Sequence, residues 1–314
     1  IEHAGTGKLA ITGGSYSGTD GQITANGALT VAMRGAFNQD GAKAAISAQQ
    51  ISIDAGSLGN RAGAQIVQAG TDATSITVVG ALDNSGGTLA SNADTTVAAG
   101  SLTNQGGTIR AAETSDLALI VDGLLDNSHK GVIGAGGNTT IAAASLNNDA
   151  GSTTAVGDLT ATIGGAATNV GGTLAANGRT TLVAGTLDNT TGTVAAVNGN
   201  LSVTTTGTTT NKGGTLQAGA TTTLLNGGLN NAGGQVFGNS LSVDTRGQAL
   251  DNSAKGTLAA ITTVHVNSGA LNNDTGLIQS GGAMTIDTNG QALTNTNAEG
   301  YRSKPEDAPG GITS

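Results

Sequence analysis

The chain has 314 residues, 53 of them glycine, with no cysteine or tryptophan, two phenylalanines, two tyrosines and a net charge of −9. These numbers exclude disulfides and thiolate metal sites. With 12 basic residues scattered among 21 acidic ones, they argue against nucleic acid and anionic membrane surfaces as partners.

A thick spherical core needs large side chains, so a core of Ala, Leu, Val and Ile favours a quasi-one-dimensional stack instead. No apolar run approaches the roughly 20 residues of a spanning helix, so no membrane insertion of this segment is expected. Ile1-Glu2-His3-Ala4-Gly5 lacks the basic and apolar regions of a signal peptide. That predicts a mature product or an internal fragment.

Taken in order, Ile23-Thr24-Ala25-Asn26-Gly27-Ala28-Leu29-Thr30-Val31 is the first clear unit, with short alternating apolar stretches broken by Asn-Gly. The unit then recurs. Its clearest copies are Leu82-Asp83-Asn84-Ser85-Gly86-Gly87-Thr88-Leu89-Ala90 and Leu187-Asp188-Asn189-Thr190-Thr191-Gly192-Thr193-Val194-Ala195. The recurring asparagines are Asn38, Asn60, Asn84, Asn104, Asn127, Asn148, Asn169, Asn189, Asn211, Asn231, Asn252, Asn273 and Asn295, in steps of 20 to 24 residues. A period of that length decides the architecture before any local motif does.

Short β-branched runs between Gly and Asn read as strand and turn, and no segment holds a 3.6-residue stripe long enough for a helix. Two or three such strands per repeat cannot bury their apolar faces alone, whereas strands stacked like on like can. The expected fold is all-β, a right-handed parallel β-helix (β-solenoid) of about 14 coils with ~21 residues per coil, the hand following the crossover rule. It is expected to fill residues 1–295. Residues 296–314, with Asn297-Ala298-Glu299-Gly300 and two prolines, read as a linker or the start of a following segment. Neither end looks like an amphipathic cap, which suggests a piece of a longer stack.

Alternation puts Leu82 and Asn84 inward and Asp83 outward. The thirteen asparagines are therefore predicted to form a structural ladder, one inward amide per coil, hydrogen-bonded along the stack at a corner that tolerates left-handed backbone. Sequons at Asn138, Asn189, Asn200 and Asn273 are read as by-products of an Asn- and Thr-rich composition. The outward neighbour runs Asp83, Thr103, Asp126, Asn147, Thr168, Asp188, Thr210, Asn230, Asp251, Asn272, Thr294. Aspartate never occupies it in two successive coils, which fits like-charge repulsion at about 5 Å.

Glycine pairs such as Gly86-Gly87 and Gly213-Gly214 read as corners, since neither a helix nor Lys-Ser/Thr follows. His3, His129 and His265 fall in separate coils, and Tyr16, Phe37, Phe237 and Tyr301 are scattered. No catalytic, cofactor-binding or metal residue is therefore assigned, and no enzyme is expected. Threonine-rich stretches such as 204–210 read as a β-favouring solvated face whose threonines keep no single column. The long steps Asn60 to Asn84 and Asn104 to Asn127 predict outward bulges near residues 68–75 and 113–116, where a partner would touch.

The phrase Leu-Asp-Asn-Ser-Gly-Gly-Thr-Leu-Ala, followed by a small-residue turn and a Thr-rich strand, closely resembles the repeats of filamentous haemagglutinin-like exoproteins. These include the toxin-carrying stems of contact-dependent growth inhibition systems. The resemblance covers roughly residues 20 to 295. It implies a secreted bacterial cell-surface protein, exported unfolded by two-partner secretion through an outer-membrane transporter and folded outside as a right-handed β-helix.

Families of this kind work as adhesins or as stalks presenting toxins and receptor-binding regions. The partners implied are that transporter and a host or neighbouring-cell receptor or glycan. The family's Asn-Pro-Asn secretion motif is absent, and no nuclease-like or pore-forming domain is visible, so the stretch reads as shaft. The alternative is a carbohydrate-binding or carbohydrate-processing β-helix.

Overall fold

The computed structural model describes residues 1–297 and 311–313, and among them the backbone is strand and turn with no helix. It divides into two compact units, Ile1–Ile163 and Gly164–Ser314. Each is a parallel β-solenoid in which a strand pairs with its counterpart one coil on. Over both units there are about 14 turns spaced by ~21 residues.

In the first unit one coil consists of Thr88–Ser91, Thr95–Thr103 and the turn at Asn104. Leu89 sits between Ile66 and Ile109, Val97 between Ile76 and Leu119, and Leu102 between Leu82 and Leu125. All nine are at most 1% exposed. Burying each aliphatic side chain is worth about 1.5–3 kcal/mol, and strict two-residue alternation delivers them to one side. A single ring pair, Tyr16 and Phe37 with centroids 5.0 Å apart, is the only aromatic packing among the described residues.

The long strands Ala28–Asn38, Gln50–Gly59, Thr74–Asp83, Thr95–Thr103 and Leu117–Asp126 each carry a glycine near their register shift. Register shifts there show that Arg34, Val79 and Asp122 are extra residues, absent from the intervening coils at Gly56, Gly100 and Ala144. The long coils carry the rest of their surplus where bulges were expected. Residues 69–73 link Gln68 to Thr74 where 92–94 suffice one coil later, and 112–116 link Ala111 to Leu117 where 136–138 suffice.

The second unit repeats the scheme with fewer irregularities. Leu174, Val194, Leu216, Val236, Leu258 and Ile278 form one inward row. Leu182, Val203, Leu224, Val243 and Val266 form another. Of the segment expected to be a linker, 298–310 and Ser314 lie outside the described residues. Gly311–Thr313 form a strand in parallel register with residues 277–279.

Candidate functional site: the inward amide column

The recurring turn begins at the asparagine itself. The residue two positions on has positive φ in every instance: 64° at Gly86, 60° at Gly106, 55° at His129 and 54° at Ala150 in the first unit, and 54° at Thr191, 61° at Gly213 and 67° at Gly233 in the second. The next residue closes the turn, as when Gly87 N–H donates to Asn84 O at 3.0 Å and Gly234 N–H to Asn231 O at 3.0 Å. After Asn60, Asn127 and Asn252 the turn runs one residue longer, with Gly63, Lys130 and Lys255 also at positive φ. Where the next residue is glycine, the coil behind it requires one. A Cβ at Gly87, Gly107 or Gly234 would collide with the backbone carbonyl of Asn60, Asn84 or Asn211 one coil back.

With the turn in place, the asparagine side chain points inward and is sealed. Asn84, Asn104, Asn127, Asn148, Asn189, Asn211, Asn231, Asn252 and Asn273 are 0% exposed. In the first unit each Nδ2 donates to the next Oδ1, from Asn60 through Asn84, Asn104 and Asn127 to Asn148, at 2.6, 2.7, 2.7 and 2.8 Å. In the second unit the relay runs from Asn169 through Asn189, Asn211, Asn231, Asn252 and Asn273 to Asn295, at 2.7 to 2.8 Å. The same Nδ2 reaches backbone carbonyls on either side, as Asn189 does to Gly192 O at 3.1 Å and Thr215 O at 3.2 Å. Buried carbonyls that the ladder hydrogen bonds leave short are thus satisfied.

Asn38 is not in the column. Strict alternation from Phe37, which pairs with Leu58, puts Asn38 on the outward row and Gln39 inward at 0% exposure. The step that sequence inspection counts from Asn38 to Asn60 properly starts at Gln39. Gly35, four residues ahead as Gly56 is ahead of Asn60, is the signal that marks the register.

The outward neighbour proves to be a turn cap. Asp83 Oδ1 accepts the Ser85 N–H at 3.0 Å, Asp188 Oδ1 the Thr190 N–H at 3.0 Å, and Asn230 Oδ1 the Ala232 N–H at 3.1 Å. This is the Asx-turn habit of short polar side chains. Burial pushes the Asp126 carboxyl upward, but hydrogen bonds from Ser128 and Gln105 outweigh it and hold it below the ordinary range. One coil before Asp83, Arg61 lies 2.6 Å from Asp40 and 3.7 Å from Asp83. Its hydrogen bond lowers the Asp40 pKa.

In the stretch 204–210 that reads as a solvated face, Thr205 and Thr209 are inward and 0% exposed, and inward threonines recur elsewhere. Thr139, Thr180 and Thr222 donate to the carbonyls of Thr154, Ala195 and Phe237 at 2.8, 2.6 and 2.6 Å. The outward hydroxyls do keep a column once serine is counted with threonine. It runs Thr30, Ser52, Ser75, Thr96 in the first unit and Thr181, Ser202, Thr223, Ser242 in the second. Of the sequons, Asn189 and Asn273 are sealed in the column. Asn138 and Asn200 are exposed, with Oδ1 accepting from Asp158 N–H at 2.8 Å and Thr221 N–H at 3.1 Å.

Two recesses are open to solvent among the described residues. A recess of about 670 Å³ in the first unit lies between Arg34 and Val79 over Asp54-Ala55-Gly56, and one of about 340 Å³ in the second holds Thr208, Gln248 and Asp251. Arg34 and Asp54 are the ionisable groups of the first recess, and Asp251 that of the second, so neither presents a carboxylate pair. Among the described residues no group of three or more His, Asp or Glu could hold a metal.

Residues 116–171 and 154–213 match the haemagglutinin repeat family. These matches and the β-solenoid fit a filamentous haemagglutinin-like repeat region. No curated protein and no solved structure matches the chain. Haemagglutinin repeats are structural and adhesin-type rather than enzymatic, and are typically secreted or surface-exposed. The matched stretch contains Asn127, Asn148, Asn169, Asn189 and Asn211, so the family's repeat and the amide turn coincide.

Proposed function

We propose that this region is a shaft segment of a secreted bacterial cell-surface protein, holding binding or toxin-bearing regions away from the cell. The protein reaches the surface by two-partner secretion, and its structural residues are the column from Asn60 to Asn148 and from Asn169 to Asn295. The observation that carries this reading is where the chemistry has been spent. The conspicuous polar side chains are turned inward and consumed by the turns that repeat the coil. A repeat whose specific residues all serve its own propagation is suited to spanning distance, and its length is set by coil number.

Excision of whole coils tests it. Removing residues 190–231 from the full-length protein rejoins Asn189 to Ala232 in register and deletes two coils. Surface display and folding are expected to survive, with reach alone reduced. Excising half a coil should abolish folding. Loss of binding or toxin activity on whole-coil excision, with the fold intact, would refute the shaft reading. So would glycan turnover by this region that one carboxylate substitution abolishes, which is the outcome expected of a carbohydrate-processing β-helix.

A further inference from the structure

We propose that Gln39 is a two-position latch that decides whether the first coils of the chain are tied into the amide column. The inward position reads Gly18, Gln39, Asn60 and then asparagine through Asn148. From Asn60 onward every Nδ2 points to the following coil. Gln39 points the other way. Its Nε2 turns back to Gly21 O, although that carbonyl already accepts the Ala45 N–H at 3.0 Å.

Two oxygens are stranded as a result. Gln39 Oε1 and Asn60 Oδ1 have no hydrogen-bond partner, in residues 0% and 1% exposed. The cause lies one coil earlier. Gly18 has no amide to donate to Gln39, and the space its side chain would enter is held by the Tyr16 hydroxyl and by Gln39 Oε1 itself.

Glutamine carries one more methylene than its successors, and that length gives it a choice they lack. In the backward position it clamps the turn closed by Gly21 N–H on Gly18 O, at 2.9 Å. In the forward position the same nitrogen meets Asn60 Oδ1 and completes the column, while Gly21 O keeps its bond from Ala45. A buried polar atom without a partner is costly, and the forward position relieves one of the two, Asn60 Oδ1, while Gln39 Oε1 stays without a donor in either. The forward position leaves the 18–21 turn without its side-chain clamp. The latch therefore trades order at the N-terminal turn against continuity of the column from residue 39 to residue 60.

Hydrogen exchange on the full chain tests this. Asn at position 39 is too short for Gly21 O and has the length of every later member, so Gln39→Asn fixes the forward position. Amides of residues 45–60 should exchange about tenfold more slowly, and those of 18–22 faster, than in the parent. Gln39→Met keeps the length without the amide and should speed exchange in 18–22 without slowing 45–60. The proposal is overturned if Gln39→Asn leaves 45–60 unchanged or faster, or if the two variants behave alike. Should Gln39→Asn fail to fold, unchanged exchange at 18–22 in Gln39→Met overturns it alone, and accelerated exchange there supports it.

Discussion

The start of the first unit and the middle of the second make the same turn with different side chains. At Asn189, Asn211 and Asn231 the turn holds a sealed amide that passes a hydrogen bond onward at 2.7 Å each time. At Gly18 the backbone turn is kept without any amide, with φ of 54° at Asp20 and Gly21 N–H donating to Gly18 O, whereas at Gln39 the turn closes two residues later, from Ala44 N–H to Gly41 O, and the amide is turned back. The backbone turn is therefore the more basic feature. The asparagine is the side chain that best satisfies what the turn leaves unpaired, and a coil can exist without it.

That ranking predicts that the glycine closing the turn matters most. Gly234→Ala should destabilise by roughly 3 kcal/mol or more, because its Cβ would strike the rigid Asn211 carbonyl. Gly233→Ala, one residue earlier, should cost only about 1 kcal/mol, since alanine at Ala150 and Ala254 already adopts that backbone. Urea midpoints of the two variants check the contrast, and equal losses would break it.

Next comes the amide. Asn231→Ala strips partners from Asn252 Oδ1, Asn211 Nδ2 and Thr257 O, all in the interior of the second unit. A loss of about 2–3 kcal/mol is expected. Gln39→Ala, where no relay is made, should cost about 1 kcal/mol or less. A larger loss at Gln39 than at Asn231 would reverse the comparison.

How much of this was legible beforehand follows from the same distinction. Period, strand grammar and the alternation of Leu82 and Asn84 are written in residue types, so the parallel solenoid and its ladder could be read directly. The register at Gln39 could not be read by searching for asparagine, because the column there is kept by spacing from Gly35 rather than by residue identity. The inward threonines were missed for a related reason. Thr139 shares its column with Leu117 and Leu159, and a hydroxyl among leucines gives no hint that a carbonyl one coil on awaits it. The Asx caps are legible in Asp-Asn-Ser, which places an acceptor two residues before an N–H, although the alternation of charge at the same position masks them.

The position of positive φ also sharpens the comparison, in the stabilising direction. Thr191 holds a β-branched side chain at φ 54° where Gly171 and Gly213 hold glycine at 61°. Such backbone costs an L-residue about 1–2 kcal/mol, so Thr191→Gly should raise stability by about 1 kcal/mol, less whatever its 2.7 Å bond to Thr190 O contributes. Gly213→Thr should lower it by a similar amount. If Thr191→Gly destabilises, the hydroxyl bond outweighs the strain and the turn is less demanding than argued.

The smallest expected effect separates two kinds of outward residue in the first unit. Asp40 and Asp126 both have lowered pKa values, the first chiefly through the Arg61 hydrogen bond and the second through bonds from Ser128 and Gln105 that overcome desolvation. A carboxyl whose folded pKa lies below its unfolded value of about 3.9 stabilises the fold fully above that value and loses the contribution as pH falls through the folded one. The midpoint for unfolding should therefore drop as pH falls from about 5 toward 2, and Asp40→Asn and Asp126→Asn should each flatten the slope. Salt tells the two apart. Arg61 is 47% exposed in its ion pair with Asp40, so raised ionic strength should weaken that contribution. The hydrogen bonds to Asp126 come from neutral groups, with the charge of His129 the smallest contribution, so its slope should be much less sensitive to salt. Equal salt dependence of the two slopes would mean that the Asp126 cap acts through charge, as the spacing of aspartates along the column first suggested.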